Sequence, residues 1–163
     1  MRQAVIPEFP LYSITDEGQV INNDTGRVLA LSVNRNGVVQ VGLMKYGRQY
    51  KRGVALLVAT AFLDPPTPET FDTPIHLDGD KLNNRLDNLM WRPRWFAIMY
   101  QRQHELFTRP SLNEPIIDLA TREKFRDSWD AATKFGLLDE EIAEAIRART
   151  YVWPTYQRFQ EVG

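Results

Sequence analysis

The stretch Ile75-His76-Leu77-Asp78-Gly79-Asp80-Lys81-Leu82-Asn83-Asn84-Arg85-Leu86-Asp87-Asn88-Leu89-Met90-Trp91 sets a histidine, a tight turn and an asparagine at the spacing of a compact hairpin. Asp78-Gly79 supplies the turn, because glycine accepts a positive φ that other residues resist. His76 is expected to close the first strand. Asn88 should precede the second, near the imidazole, and the helix after Trp91 should pack across both strands.

These residues resemble an HNH motif. His76, the Asp78-Gly79 turn, Asn83-Asn84, Asn88 and Leu89-x-Trp91 match the pattern of group I intron and phage homing endonucleases. The resemblance implies that His76 is the general base that activates water against a phosphodiester, and that Asn88 orients it. It also implies a divalent metal, magnesium or manganese in an active enzyme, held by oxygen donors. The two positions that normally supply those donors hold Ile75 and Ala97, which cannot coordinate anything. Asp80, Gln101 and His104 are the only recruits nearby, so no ligand set is assigned. A histidine without a metal has nothing to hold the phosphate or take up developing charge. The expectation is a nuclease scaffold with cleavage weakened or lost, and with no cofactor in that case.

Composition bounds the alternatives. The chain has 163 residues, 43% of them hydrophobic, enough for packed cores. It has no cysteine, which removes disulfides and zinc-finger frameworks. No apolar stretch approaches membrane-spanning length, and Pro7 and Pro10 interrupt the only apolar run near the N-terminus. The expected setting is the cytoplasm of a phage-infected or bacterial host cell, or a virion.

The formal net charge is -1, but its distribution is uneven. Residues 1–60 carry a net +3, residues 61–90 a net -4, residues 91–110 a net +3 and residues 111–163 a net -3. The basic excess lies in Arg35, Lys45, Arg48, Lys51 and Arg52, and again in Arg92, Arg94, Arg102 and Arg109. Clustered arginine and lysine of this kind is the electrostatic footprint of duplex DNA binding. Double-stranded DNA is therefore the expected partner.

Ahead of the hairpin, Ile6-Pro7-x-Phe9-x-x-Tyr12-x-Ile14-x-x-x-Gly18-x-Val20 predicts two short strands around the Asp16-Glu17-Gly18 turn. A second hairpin is predicted from Val38–Leu43 and Arg48-Gln49-Tyr50 around Gly47, after an Asn34–Gly37 turn. Over residues 5–62 this order is similar to the small modular element found ahead of HNH domains in homing endonucleases. Val54–Phe62 reads as a buried helix ended by Asp64-Pro65-Pro66. Where the family has histidine and arginine, this helix has Ala55 and Leu56, an exchange that suggests a scaffold kept for its packing.

Beyond the hairpin, Arg94–Phe107 has helical spacing, and Thr108–Pro115, with Pro110 and Pro115, reads as a linker. In the family this linker tracks the minor groove, which the four arginines at 92, 94, 102 and 109 could serve. Two short strands are predicted from Pro115–Phe125. Asp127 or Ser128 then caps a helix to Phe135, Gly136 makes a turn, and Asp139–Arg147 forms a second helix. Ser128-x-x-Ala131-Ala132 and Ile142-x-x-Ala145-Ile146 resemble the C-terminal helix-turn-helix repeat of intron-encoded nucleases. The second helix would enter a major groove, yet it opens on Asp139-Glu140-Glu141 with Glu144 a turn later. Carboxylates there repel phosphates, although they also favour the helix dipole.

The sequence thus predicts an α+β chain: a small N-terminal β module (1–53), a central ββα-metal, HNH-like finger (54–107), a linker (108–115) and a helix-turn-helix module (116–163). The leading function is a DNA-associated protein on a homing-endonuclease scaffold. One alternative is an active, metal-dependent nicking endonuclease. Another is a domesticated phage structural or host-protein-binding protein that meets a protein partner through its acidic C-terminal module.

Overall fold

The computed structural model describes residues 1–163, and the chain divides into two compact units. Residues 1–76 and 80–97 form the first, residues 77–79 and 98–163 the second.

The first unit opens with strands β1 (Gln3–Ile6), β2 (Phe9–Thr15) and β3 (Val20–Asn22), paired antiparallel in the order β1-β2-β3. A second sheet follows, β4 (Ser32–Val33), β5 (Val39–Lys45) and β6 (Arg48–Gly53). In β5 the period-two alternation is plain: Val39, Val41 and Leu43 are buried, and Met44 on the other face is exposed. Tyr46 and Gly47, at φ 52° and 75°, turn β5 into β6. Positive φ at both central residues is the conformation that matches strand twist in a two-residue hairpin.

Helix α1 (Val54–Phe62) runs on directly from β6 and stops before Asp64-Pro65-Pro66, as predicted. Its buried residues Val54 and Val58 share a core with Phe9, Ile14, Val41 and Leu43. That shared core crosses the boundary expected at residue 53, because neither small sheet has enough apolar surface without α1. Leu56, in contrast, is 47% exposed, so the apolar exchange at that position adds no packing.

The hairpin β7 (Thr73–His76) and β8 (Leu89–Arg92) pairs Ile75 with Met90 and His76 with Leu89. His76 closes its strand, as the sequence predicted. The intervening loop docks on the N-terminal turn, where the Leu86 amide donates to the Asp16 carbonyl at 2.8 Å and Arg85 pairs with Glu17 at 3.2 Å. The Trp91 indole donates to the Asp64 carbonyl at 3.0 Å.

Helix α2 (Arg94–Leu106) begins in the first unit and continues in the second. The rest of the second unit is a sheet of β9 (Ile116–Asp118), β10 (Lys124–Phe125) and β11 (Phe159–Glu161), in the order β10-β9-β11, with α3 (Ser128–Phe135) and α4 (Asp139–Ala148). Asp127 caps α3 by accepting from the Asp130 amide at 2.8 Å, and Gly136 ends it in the left-handed region. Ile116, Phe125, Ala131, Leu137, Ile142 and Phe159 form the core. Strand β11 was not anticipated: with one inward residue in three, it carries no readable alternation.

Asp139 corrects the reading of α4. Its side chain does not face a groove but is buried, where it accepts from the Ser111 amide at 2.9 Å, the Ser111 hydroxyl at 2.8 Å and the Ser128 hydroxyl. Gln103 of α2 adds a clamp, accepting from the Asp139 amide at 2.9 Å and donating to the Leu137 carbonyl at 3.0 Å. Only Glu140, Glu141 and Glu144 remain as exposed acids on α4.

Removing the buried acceptor strands three donors, so Asp139→Ala should cost about 3 kcal/mol of unfolding free energy. Urea denaturation checks this. A loss below about 0.5 kcal/mol, the size of an ordinary surface substitution, would show that the network does not hold the module together.

Candidate functional site

In the first unit the imidazole of His76 is half-buried, and its Nε2 lies 2.7 Å from Oδ1 of Asn84. An amide oxygen can only accept, so this contact uses a ring hydrogen on Nε2. Asn84 therefore takes the ring contact that the resemblance gives to Asn88. Asn88 is buried and works through the backbone, donating its amide to the Asn83 carbonyl at 2.9 Å. It fixes the turn that carries Asn84. The sequence offered a signal for this in the doubled Asn83-Asn84, but nothing in spacing distinguished which asparagine meets the ring.

The Asn84 end of this turn is itself packed against backbone. A Cβ placed on Gly18, which sits at φ 87°, would approach the Asn84 carbonyl and Cβ at 3.3 Å. Gly18 thus lets the N-terminal turn come close beneath the residue that holds His76.

In the second unit, Leu77–Gly79 are gripped by three side chains of α2. The Tyr100 hydroxyl donates to the Leu77 carbonyl at 2.6 Å, and the Gln101 amide donates to the Gly79 carbonyl at 3.0 Å. The His104 ring covers Gly79 so closely that a Cβ there would fall 2.3 Å from its Cγ. Gly79 also needs its positive φ of 75°. His104 is edge-on to Tyr100 and Trp129, with ring centroids at 5.0 and 4.9 Å, and its Nε2 is buried without a partner. Burial pushes its pKa below the usual histidine value, opposed by the Asp78 carboxylate and by the Leu77 backbone.

The residues do not fit a hard divalent cation held in the ordinary way. Ile75 is 3% exposed and belongs to the packed side of its strand, and Ala97 offers a methyl group. Of the recruits, Asp80 is engaged in its own turn, accepting from the Leu82 amide at 2.9 Å. Gln101 spends its amide nitrogen on Gly79 and offers at most one neutral oxygen, and His104 is enclosed by aromatic rings. No three histidine or carboxylate groups converge in the chain.

The basic residues sort into two groups. Arg35, Arg48, Lys51, Arg94, Arg102 and Arg109 are exposed and form no ion pair. The others are occupied. Arg52 pairs with Glu8 at 2.7 Å, a contact that holds the Glu8 carboxyl below its ordinary range, and Lys45 donates to the Glu8 carbonyl at 2.8 Å. Arg92 corrects the sequence reading: it is buried, donates to the Trp91 carbonyl at 2.8 Å and lies over the Phe96 ring. Its guanidinium supports the hairpin and is not presented to a phosphate.

Comparison with known proteins agrees with this architecture. The NUMOD4 motif matches residues 4–44. An uncharacterized HNH endonuclease, L247, of Acanthamoeba polyphaga mimivirus is 28% identical over 161 residues, which is 93% of this chain and 40% of the relative. The H-N-H endonuclease F-TflII of Escherichia phage T5 is 30% identical over 104 residues, 64% of this chain and 50% of the relative. The chain thus spans half or less of the length of these relatives. Among solved structures, one describing DNA binding and cleavage by the HNH homing endonuclease I-HmuI has a TM-score of 0.55 at 19% identity, covering 99% of this chain and 98% of that one. It shares the fold.

The buried His104 predicts a pH dependence. Its folded pKa lies below the unfolded value of 6.5, so the unfolded chain takes up the proton first. Stability should therefore fall as pH drops below that value and level off once the folded ring also protonates. Thermal unfolding from pH 7.5 to 5 should show a smaller decline for His104→Gln than for the native chain. An unchanged decline would assign the effect to other groups.

Proposed function

We propose that the chain, which is similar in sequence to HNH endonucleases and in fold to the homing endonuclease I-HmuI, associates with DNA through this scaffold while ordinary HNH cleavage is weakened or lost. The observation that carries the proposal is Ile75: where the family places a metal-binding side chain, this chain places an apolar one inside a packed hairpin. Without a cation, the charge that develops on the phosphate and on the leaving oxygen has no counterpart. Exposed Arg35, Arg48, Lys51, Arg94, Arg102 and Arg109 remain free to meet phosphates. Binding by such contacts is insensitive to base sequence and steeply dependent on salt.

One observation favours a second reading, that of an active nickase with unusual ligands. The ring of His76 is still held by Asn84 at 2.7 Å, a contact that in a neutral ring leaves Nδ1 as the free base.

A plasmid assay separates the two. Supercoiled DNA should stay intact with the native chain in magnesium or manganese, and shift in a mobility gel in a salt-dependent way. Nicking that disappears on His76→Ala would establish the nickase instead. Ile75→Asp combined with Ala97→Asn should create measurable nicking while lowering stability by about 3 kcal/mol, since a carboxylate replaces a packed side chain. Unfolding curves report the second effect independently of the first.

A further inference from the structure

We propose that the segment Arg147–Arg158, which begins in the last turn of α4, is a docking edge for a DNA strand with unpaired bases. The proposal rests on the DNA-associated reading above and adds to it a site outside the hairpin, at the C-terminal end of α4 and beyond.

The segment pins itself to the core through two residues. Val152 is buried and bridges to Gln157, its amide donating to the Gln157 carbonyl at 2.8 Å. Gln157 turns its side chain inward, where the amide donates to Asp118 at 3.1 Å. Around these anchors the chain makes a turn that leaves its tyrosines in solvent: Tyr151 is 58% exposed and Tyr156 67%, with Trp153 at 38% and Arg158 half-buried.

Two tyrosine rings on one short, anchored segment are costly to leave in water. The charges within the segment are of one sign, although Arg147 also lines a pocket with Glu140 and Glu144. Arg147, Arg149 and Arg158 form no ion pair, and no acid lies in the segment. Interleaved arginines and exposed aromatic rings are the surface that binds single strands, where phosphates meet the cations and bases stack on the rings. An intact duplex hides its base faces, so the aromatic residues discriminate for a strand that is unpaired, as at a nick or a frayed end.

The contrast along α4 supports this placement. Its exposed face begins with Glu140, Glu141 and Glu144, which repel phosphates, and becomes basic only at Arg147 and Arg149. The helix's acidic beginning thus disfavours the groove entry expected of it, while its end offers attraction.

The test uses the full chain with a fluorescein-labelled oligonucleotide, single-stranded or as a blunt duplex. Arg149 and Tyr156 sit at φ 54° and 56°, a region asparagine tolerates, so Arg149→Asn and Tyr156→Asn preserve the backbone. Tyr151→Ser with Tyr156→Asn should weaken single-strand binding about tenfold and duplex binding much less. Arg149→Asn and Arg158→Ala should each flatten the logarithmic salt dependence on the single strand by about 0.7. Ultraviolet crosslinking of the native chain, which does not depend on variants folding, should label the peptide holding Tyr151–Tyr156. Equal losses on single strand and duplex would overturn the claim for unpaired bases. Native DNA binding that the variants leave unchanged, with crosslinks only elsewhere, would overturn the site but leave the DNA-associated reading standing. A native chain that binds neither form would remove both.

Discussion

The turn at Leu77–Gly79 is the constraint on which the candidate site depends. Tyr100, Gln101 and His104 occupy successive positions on one face of α2, and each meets this turn. A tyrosine and a glutamine take the two carbonyls that the reversal leaves unpaired, and an imidazole covers the bare Cα of the glycine. This reversal cannot shift without losing two hydrogen bonds and a ring contact. In the first unit, Asn84 separately fixes the ring of His76, a preorganisation that costs conformational freedom.

Much of this could be read from the sequence because the signals are local. The Asp78-Gly79 turn, the alternation in Val39–Leu43, the Asp127 cap and the Asp64-Pro65-Pro66 stop each act within a few residues, and each element is found where it was expected. What could not be read depends on partners distant in the chain. Strand β11 exists because β9 offers it a free edge, and nothing in Phe159-Gln160-Glu161 announces that. Asp139 looked like a solvent-facing acid beside two others, yet Ser111 and Ser128 draw it inside. Arg92 counted as a free cation until Phe96 and the Trp91 carbonyl enclosed it. Asn84 and Asn88 illustrate the finer limit: both are buried asparagines on one loop, and only the side-chain geometry separates the one that meets the histidine from the one that braces the backbone.

Charge is organised by burial as much as by composition. Removing Arg92 and Asp139 from the surface leaves unpaired exposed cations on β6, on α2 and at the end of α4, and three exposed acids, Glu140, Glu141 and Glu144, on the first turns of α4. A net charge near zero conceals this pattern. Attraction for a polyanion is decided by such local fields, since screening limits the reach of any one charge to about 8 Å at physiological salt.

Ile75 has a further implication for how such a chain can change. At a half-exposed position, exchanging an apolar residue for a carboxylate is nearly neutral, and selection on chemistry alone decides which is kept. At 3% exposure, against Met90 on the neighbouring strand, it is not. The apolar residue is worth packing energy the moment it arrives, whereas a carboxylate gains its value only when a second donor and a cation are also present. The two directions are therefore unequal. Departure from a metal-binding hairpin proceeds downhill in a single step, and return must climb through a less stable protein before any catalysis can reward it, so the position behaves as a ratchet.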